Sequence, residues 1–387
     1  MHSTPPVRAH AAPDAVPRPP WYARPAARTW TCAPAPREVR DFHATLPGFA
    51  PTPLTEVPAL AAELGVGRVF VKDESARLGL PAFKVLGAAW AIHRALSEHV
   101  GGTAPETLDE LRERLATRPP VRLVTATDGN HGRAVAHIAR LLGLPAGIFV
   151  AGGVHPAAVG AIAAEGAEVT RVPGSYDDTV RRARLAAEQP SSVLLQDTAW
   201  PGYEEVPGWI VAGYSTLFAE IDEQLDASGA EAAGLVAVPV GVGSLAQAAV
   251  AHYRSRPARR PPSLLAVEPD VAACVLASLT EGRPRTVNTG TTIMAGLNCG
   301  TPSSLAWPYL RDGLDAAVAV TDAESARAAG DLGAFGVSSG PCGAASLAGL
   351  RWALTGADGA ARRESLAVGG ADTVVLLSTE GTAANQH

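Results

Sequence analysis

The chain reads as an α/β protein built on parallel strands, and three features of the sequence point that way. Strand and helix signals alternate along most of its 387 residues, an order that lays helices on the faces of a parallel sheet. Several strand candidates are unbroken apolar runs, as expected where both faces of a sheet are covered. Composition agrees: 47% hydrophobic and 18% charged residues, with 39 glycines and 32 prolines, suit a well-buried core joined by many loops.

In chain order, the first 20 residues are rich in Pro and Ala and lack an apolar signal-type stretch. A flexible leader is therefore expected over residues 1–35. Strands are expected over 68–72, 122–126, 147–150, 168–172, 192–195, 235–240, 264–267 and 373–378, where β-branched and aliphatic residues cluster between turn residues. Helices over 82–98, 133–142, 156–165, 176–188 and 245–253 fall between them. Residues 101–120 are polar and charged and read as an inserted connection, which places a domain crossing nearby. The expected division is a large domain of 36–90 and 200–387 and a smaller, mobile one of 91–199.

Several function classes drop out. The net charge is −6, with no basic run and no aromatic-basic interleaving, so no nucleic-acid partner is expected. No apolar run approaches the ~18 residues of a membrane span. The four cysteines, Cys32, Cys274, Cys299 and Cys342, show no Cys-x-x-Cys or Cys/His spacing, so no metal site is expected. A cytoplasmic protein with mostly reduced thiols follows.

Only two of the 32 basic side chains are lysines, Lys72 and Lys84. Arginine stays protonated, whereas lysine can lose its proton and attack a carbonyl carbon, so a lysine surviving this bias invites a chemical reading. Lys72 ends a strand beside Asp73 and Glu74, where an ion pair is expected. Lys84 falls in the first turn of the 82–98 helix and shares a face with Gly87, Ala88, Ala91 and Ala95. Those small residues leave room for something to press against that side. Burial and the helix N-terminus are expected to favour the neutral, nucleophilic amine.

Three further loops follow strands. Thr125-Ala126-Thr127-Asp128-Gly129-Asn130-His131-Gly132 opens a helix, so its amides face the carboxyl end of a sheet; as bare types it is also ordinary turn chemistry. Pro239-Val240-Gly241-Val242-Gly243-Ser244-Leu245-Ala246 is a glycine turn entering a helix, suited to a phosphate. It also fits the dinucleotide fingerprint, with Glu268 ending the next strand, so a nicotinamide oxidoreductase stays open at this point. The turn after 373–378 offers Ser378 and Thr379 hydroxyls to a ring nitrogen.

Together these loops resemble the pyridoxal-phosphate enzymes of the tryptophan-synthase-β type (fold type II), and within them the diaminopropionate ammonia-lyases. The likeness runs from about residue 45 to 381. It is carried by Gly48-Phe49-Ala50-Pro51-Thr52-Pro53-Leu54, Val71-Lys72-Asp73-Glu74-Ser75 and Phe83-Lys84-Val85-Leu86-Gly87. It continues through Thr127-Asp128-Gly129-Asn130-His131-Gly132-Arg133, Tyr176-Asp177-Asp178-Thr179-Val180 and Gln196-Asp197-Thr198-Ala199-Trp200. Val267-Glu268-Pro269, Thr292-Ile293-Met294-Ala295-Gly296-Leu297 and Ser378-Thr379-Glu380-Gly381 complete it.

The resemblance implies two open, mostly parallel sheets with flanking helices, pyridoxal 5'-phosphate as cofactor and elimination of ammonia from 2,3-diaminopropionate to give pyruvate. It implies Lys84 as the Schiff-base lysine, Asn130 at the cofactor's 3′-oxygen, and Gly241, Val242, Gly243 and Ser244 around its phosphate. Ser378 or Thr379 would face the ring nitrogen. Asp128 and Lys84 would be bases on opposite faces, one for each enantiomer, with Asp197 and Thr127 contacting the substrate. A small amino acid as substrate and a homodimer follow, and Cys274 with Cys299 match a family cysteine pair that stands either as a disulfide or as free thiols. The late family loop Ser-Gly-Glu-Ser-Gly-Ala reads Ser339-Gly340-Pro341-Cys342-Gly343-Ala344 here, and the chain runs only to His387 where relatives carry a longer, acid-containing tail. These differences leave open a lyase or β-replacement enzyme for another β-substituted alanine, of the serine/threonine dehydratase kind, or a cofactor-binding protein without turnover.

Overall fold

Every strand expected from the sequence is present, within two residues at either end, in a computed structural model that describes residues 21–174, 176–256 and 260–384. The described strands are β1 (Trp21–Ala23), β2 (Leu54–Glu56), β3 (Arg68–Asp73), β4 (Arg122–Thr127), β5 (Ala146–Ala151) and β6 (Glu168–Val172). They continue with β7 (Ser192–Leu194), β8 (Ala233–Pro239), β9 (Ser263–Pro269), β10 (Ala316–Val320) and β11 (Thr373–Ser378). A seven-stranded sheet runs β1-β10-β9-β8-β11-β3-β2, parallel except for its two edge strands. A four-stranded, wholly parallel sheet runs β6-β5-β4-β7. This is an α/β fold of two open, mostly parallel sheets with flanking helices. The smaller sheet falls within residues 91–199, and the strands of the larger lie on either side of that stretch.

Period-two alternation sends each central strand's side chains into two cores. Leu235, Leu265, Val374 and Leu376 meet Leu347 and Leu350 of the helix Pro341–Leu354 on one face. Val236, Val238, Leu264, Val375 and Leu377 enter the opposite core, shared with the helices Lys84–Val100 and Ser244–Arg254. β10 carries no strong sequence signal because Ala-Ala-Val-Ala-Val is mostly alanine, a poor strand former on its own.

Two stretches differ from expectation. Residues 1–20 of the expected leader lie outside the described residues, but Trp21–Ala23 form an edge strand of the large sheet and a short 3-10 helix, Pro25–Thr29, follows it. Trp21–Ala23 pairs antiparallel with β10, Trp21 stacks on Trp352 at 5.7 Å, and Arg28 meets the buried Asp315 carboxylate at 3.3 Å. The 101–120 connection contains a helix, Leu108–Ala116. Its charges hide a buried stripe of Leu108, Leu111 and Leu115, and the Thr107 hydroxyl caps it by accepting from the Glu110 amide.

The small-residue face of the Lys84 helix receives a neighbouring helix. The helix Glu205–Gly213 crosses it so closely that a Cβ on Gly87 would lie 2.5 Å from the Tyr214 ring and 2.8 Å from the Ile210 carbonyl. A Cβ on Gly213 would lie 2.7 Å from the Gly87 Cα. Periodicity identified the shared face; a neighbouring helix fills it.

Lys72 forms the expected ion pair with a distant partner. Its Nζ donates to Glu220 Oε2 at 2.7 Å, Gln224 Oε1 at 2.8 Å and the Thr52 carbonyl at 2.8 Å. Adjacent residues on a strand point to opposite faces, so Asp73 is out of reach, while Glu74 pairs with Arg77 at 2.7 Å. Arg77 donates to both oxygens of Glu220, and all four charged side chains are buried. Glu220→Ala leaves two buried cations sharing one carboxylate. It is expected to lower stability by about 3–5 kcal/mol, read as a drop in the denaturant midpoint at unchanged slope.

Candidate active site

β8 and β11 are parallel neighbours, so the loops leaving their carboxyl ends share one rim. The loop leaving β4 faces that rim from the smaller sheet, and a cavity of about 440 Å³ lies between them. This is where open α/β sheets place their sites. Lys84, Thr127, Asp128, Asn130, Asp197, Thr379 and residues 241–244 all line it, so residues spread over most of the chain converge.

Lys84 is the first residue of its helix. The turn before it is pinned to the chain leaving β11: the Phe83 amide donates to the Thr379 carbonyl at 3.3 Å and the Gly381 amide to the Pro81 carbonyl at 2.9 Å. Its Nζ donates to Asp197 Oδ2 at 2.8 Å. Burial opposes charge on both groups, but their attraction wins: the Lys84 ammonium is held well above the ordinary lysine range, and Asp197 falls to about 2. The amine expected to be neutral is therefore a cation in this structure, because a carboxylate 113 residues away outweighs both burial and the helix end.

Asp128 has the opposite environment. Burial first, and the nearby Asp197 charge second, lift its carboxyl from 3.8 to about 7, with Lys84 offsetting part of the rise. The two carboxylates thus differ widely in acidity, the pattern that separates acid and base roles. Behind them, buried Gln196 fixes the framework: its Oε1 accepts from the Ala126 amide at 3.0 Å, and its Nε2 donates to the Tyr176 hydroxyl at 2.9 Å and to Asp197 Oδ1 at 3.3 Å. Thr127 lines the cavity, while its hydroxyl accepts from the Gly129 and Gly132 amides and shapes the loop.

Residues 241–244 join β8 to the helix Ser244–Arg254. Gly243 has φ +100°, a left-handed conformation that favours glycine, and no side chain caps the helix. Unpaired first-turn N–H groups and the helix dipole are therefore available to an anion at the cavity wall. The Ser244 hydroxyl donates to the Asp197 carbonyl at 3.3 Å, tying this loop to the carboxylate's backbone.

Of the two hydroxyls expected near a ring nitrogen, only Thr379 lines the cavity; Ser378 is buried behind it and donates to Ser339 Oγ at 2.9 Å. Cys342, in the altered late loop, also reaches the cavity wall, and Pro341 occupies the first turn of its helix, where a missing N–H costs nothing. Cys274 and Cys299 are free thiols, with Cys274 Sγ donating to the Gly241 carbonyl at 3.7 Å. Sequence reasoning assigned no role to Tyr176, Gln196 or Glu380, all part of this site. Gln196 left a signal, an amide directly after an apolar strand; Tyr176 left none. Among the described residues no group of three or more His, Cys, Asp or Glu is arranged for a metal ion, and no helix is long and apolar enough to cross a membrane.

Residues 45–380 match the family of pyridoxal-phosphate-dependent enzymes. The chain is 39% identical over 300 residues to the diaminopropionate ammonia-lyase of Salmonella typhimurium, spanning 75% of this chain and 73% of that protein. Against the Escherichia coli enzyme of the same name it is 37% identical over 356 residues, 90% of this chain and 88% of that one. The chain belongs to the diaminopropionate ammonia-lyase family.

The family's fold is matched in detail. The holo crystal structure of the Escherichia coli lyase superposes with a TM-score of 0.82 at 36% identity, covering 90% of this chain and 88% of that one. A second structure of that enzyme, with an aminoacrylate–PLP azomethine reaction intermediate, superposes at 0.80. Pyridoxal phosphate is the cofactor of this family, and the cavity fits it: an uncapped helix end for a phosphate, a lysine amine across from it, and an amide donor at Asn130. The nicotinamide reading fails on its own acid. Glu268 is fully buried and accepts from the Val275 and Leu276 amides at 2.8 and 2.7 Å, capping the next helix instead of facing a ribose.

Proposed function

We propose that this enzyme removes ammonia from 2,3-diaminopropionate and gives pyruvate and a second ammonia, with one water consumed. The observation that carries the reading is the Lys84 ammonium seated on Asp197 at 2.8 Å with Asp128 beside it. When Lys84 is engaged with the cofactor, Asp197 is left a buried carboxylate in need of a cation. Diaminopropionate differs from serine in carrying such a cation on its β-carbon, so the site would select it by charge.

Pyridoxal phosphate, when bound, supplies the electron sink that stabilises negative charge at the substrate's α-carbon. Residues 241–244 would hold its phosphate, Lys84 its aldehyde carbon and Asn130 its ring oxygen, with Thr379 the hydroxyl nearest the ring nitrogen. Asp197 holds the substrate's second ammonium and orients the α-carbon. Lys84 Nζ on one face, and an Asp128 oxygen on the other, take the α-proton, each from one enantiomer. An Asp128 pKa near 7 suits a base that must accept and later release a proton at neutral pH. The family likeness is the ground for expecting a homodimer that works in the cytoplasm.

The test is the absorbance spectrum of the purified protein with added cofactor, together with pyruvate release from D- and L-diaminopropionate, serine and threonine. Colour with a clear preference for diaminopropionate is expected, and Asp197→Asn should raise its KM roughly tenfold or more, the size of a lost charge-assisted hydrogen bond, while serine is affected less. A protein that stays colourless, or that turns over serine alone, would overturn the reading.

A further inference from the structure

Glu380 stands two residues beyond β11, buried, with its backbone locked on the large-sheet side of the cavity. Its carbonyl accepts from the Gly340 amide at 2.9 Å, and it bridges to Ala82, two residues before Lys84. Its carboxylate accepts from both walls of the cavity. Oε2 accepts from Asn130 Nδ2 at 2.7 Å, and Oε1 from the Cys342 amide at 3.3 Å. Asn130 comes from the loop after β4, so the first of these bonds spans the cleft between the two sheets, and both partners line the cavity.

A carboxylate can only accept, so the amide nitrogen of Asn130 must face it and the side chain cannot turn over. The nitrogen carries two hydrogens; one lies on Glu380 and one remains to donate. A charged acceptor on the first N–H also polarises the amide and strengthens the second as a donor. We propose that Glu380 is the positioning residue of Asn130, holding its remaining N–H as the donor offered to the anionic ring oxygen of the cofactor. The inference rests on the reading of Asn130 given above, and deepens it.

Glutamine at 380 is nearly isosteric but offers one acceptor oxygen, where Asn130 and the Cys342 amide each use a separate one. The Cys342 N–H belongs to the backbone at a helix start and cannot turn away; the Asn130 side chain can. Glu380→Gln should therefore claim its oxygen for Cys342, set its amide nitrogen against Asn130, and turn the Asn130 carbonyl towards the cofactor. An N–H donor favours the deprotonated ring oxygen and a carbonyl disfavours it, so the bound cofactor's visible band should give way to a near-ultraviolet one.

The experiment is a pH titration of the absorbance of the cofactor-loaded wild type, Glu380→Gln, Glu380→Asp, Asn130→Ala and the Asn130→Ala/Glu380→Gln pair, with kcat and KM alongside. Glu380→Gln is expected to lower the visible fraction at neutral pH and cut kcat roughly 10- to 100-fold, the worth of a hydrogen bond to a charged group, with KM changed less than threefold. Glu380→Asp, which keeps the acceptor, should recover part of both. In the Asn130→Ala background Glu380→Gln should add less than twofold, because its path of action is gone. Equal effects in both backgrounds, or an unchanged spectrum in Glu380→Gln, would overturn the proposal alone. A wild type that takes up no colour, or an Asn130→Ala variant with the wild-type band, would overturn the reading of the site beneath it.

Discussion

Lys84→Arg is expected to abolish turnover, lowering kcat/KM by at least about 10⁴-fold, the upper end of what loss of a general base alone costs, because the nucleophile goes with it. The substitution keeps the charge, and a guanidinium can pair with Asp197 at least as well as the ammonium does at 2.8 Å. What it cannot do is give up a proton, so an effect of this size separates chemistry from ion pairing. The protein should fold, remain colourless with pyridoxal phosphate, and gain no cofactor mass on borohydride reduction, where the wild type gains it at Lys84. Lys72→Arg is the matching control. Its position is a buried cation facing Glu220, Gln224 and Thr52, away from the cavity, so colour should persist even if stability falls. Residual activity above a tenth in Lys84→Arg would remove the Schiff-base assignment.

The legibility of Lys84 has a physical origin. In a chain that otherwise uses arginine, only two positions compete for a role that needs deprotonation, and the helix start behind a Gly-Leu-Pro turn singles out Lys84 over Lys72. Its charge state was not legible, because that depends on Asp197, a residue brought near only by the packing of the second sheet. The same division runs through the fold. β8 and β9 announce themselves as apolar runs buried on both faces, whereas β10 is mostly alanine and β1 belongs to a segment whose composition suggests a leader. The face of small residues on the Lys84 helix is grouped correctly and its neighbour is left unnamed: spacing reports which residues point together, and only tertiary structure says what they meet. Glu380 is the clearest case of a site residue with no local signal. It sits in an ordinary strand-ending turn, and its meaning comes from Asn130, 250 residues earlier.

Asp128→Asn is expected to act on one enantiomer of diaminopropionate and spare the other. If Asp128 and Lys84 take the α-proton from opposite faces, the variant loses roughly 10²–10⁴-fold on the isomer whose proton faces Asp128, and stays within a few-fold of wild type on the other. The pH dependence carries a second sign. Only the carboxylate form is a base, so kcat/KM for the affected isomer should rise through about pH 7 in the wild type, and that limb should vanish in the variant. Stability runs the other way. A carboxyl whose folded pKa is raised favours the protonated form on folding, so its contribution is fully present below 3.8 and lost as pH climbs through about 7. The cofactor-free wild type should therefore lose stability across that window, and Asp128→Asn, neutral throughout, should lose less. Thermal melts from pH 4 to 8 read this directly, with Asp197 and Lys84 unchanged as the charged neighbours in both proteins. Equal losses on both isomers would mean that Asp128 acts by shaping the site and not as a base. An unchanged melting profile would mean that its carboxyl is not held protonated by burial and the Asp197 charge.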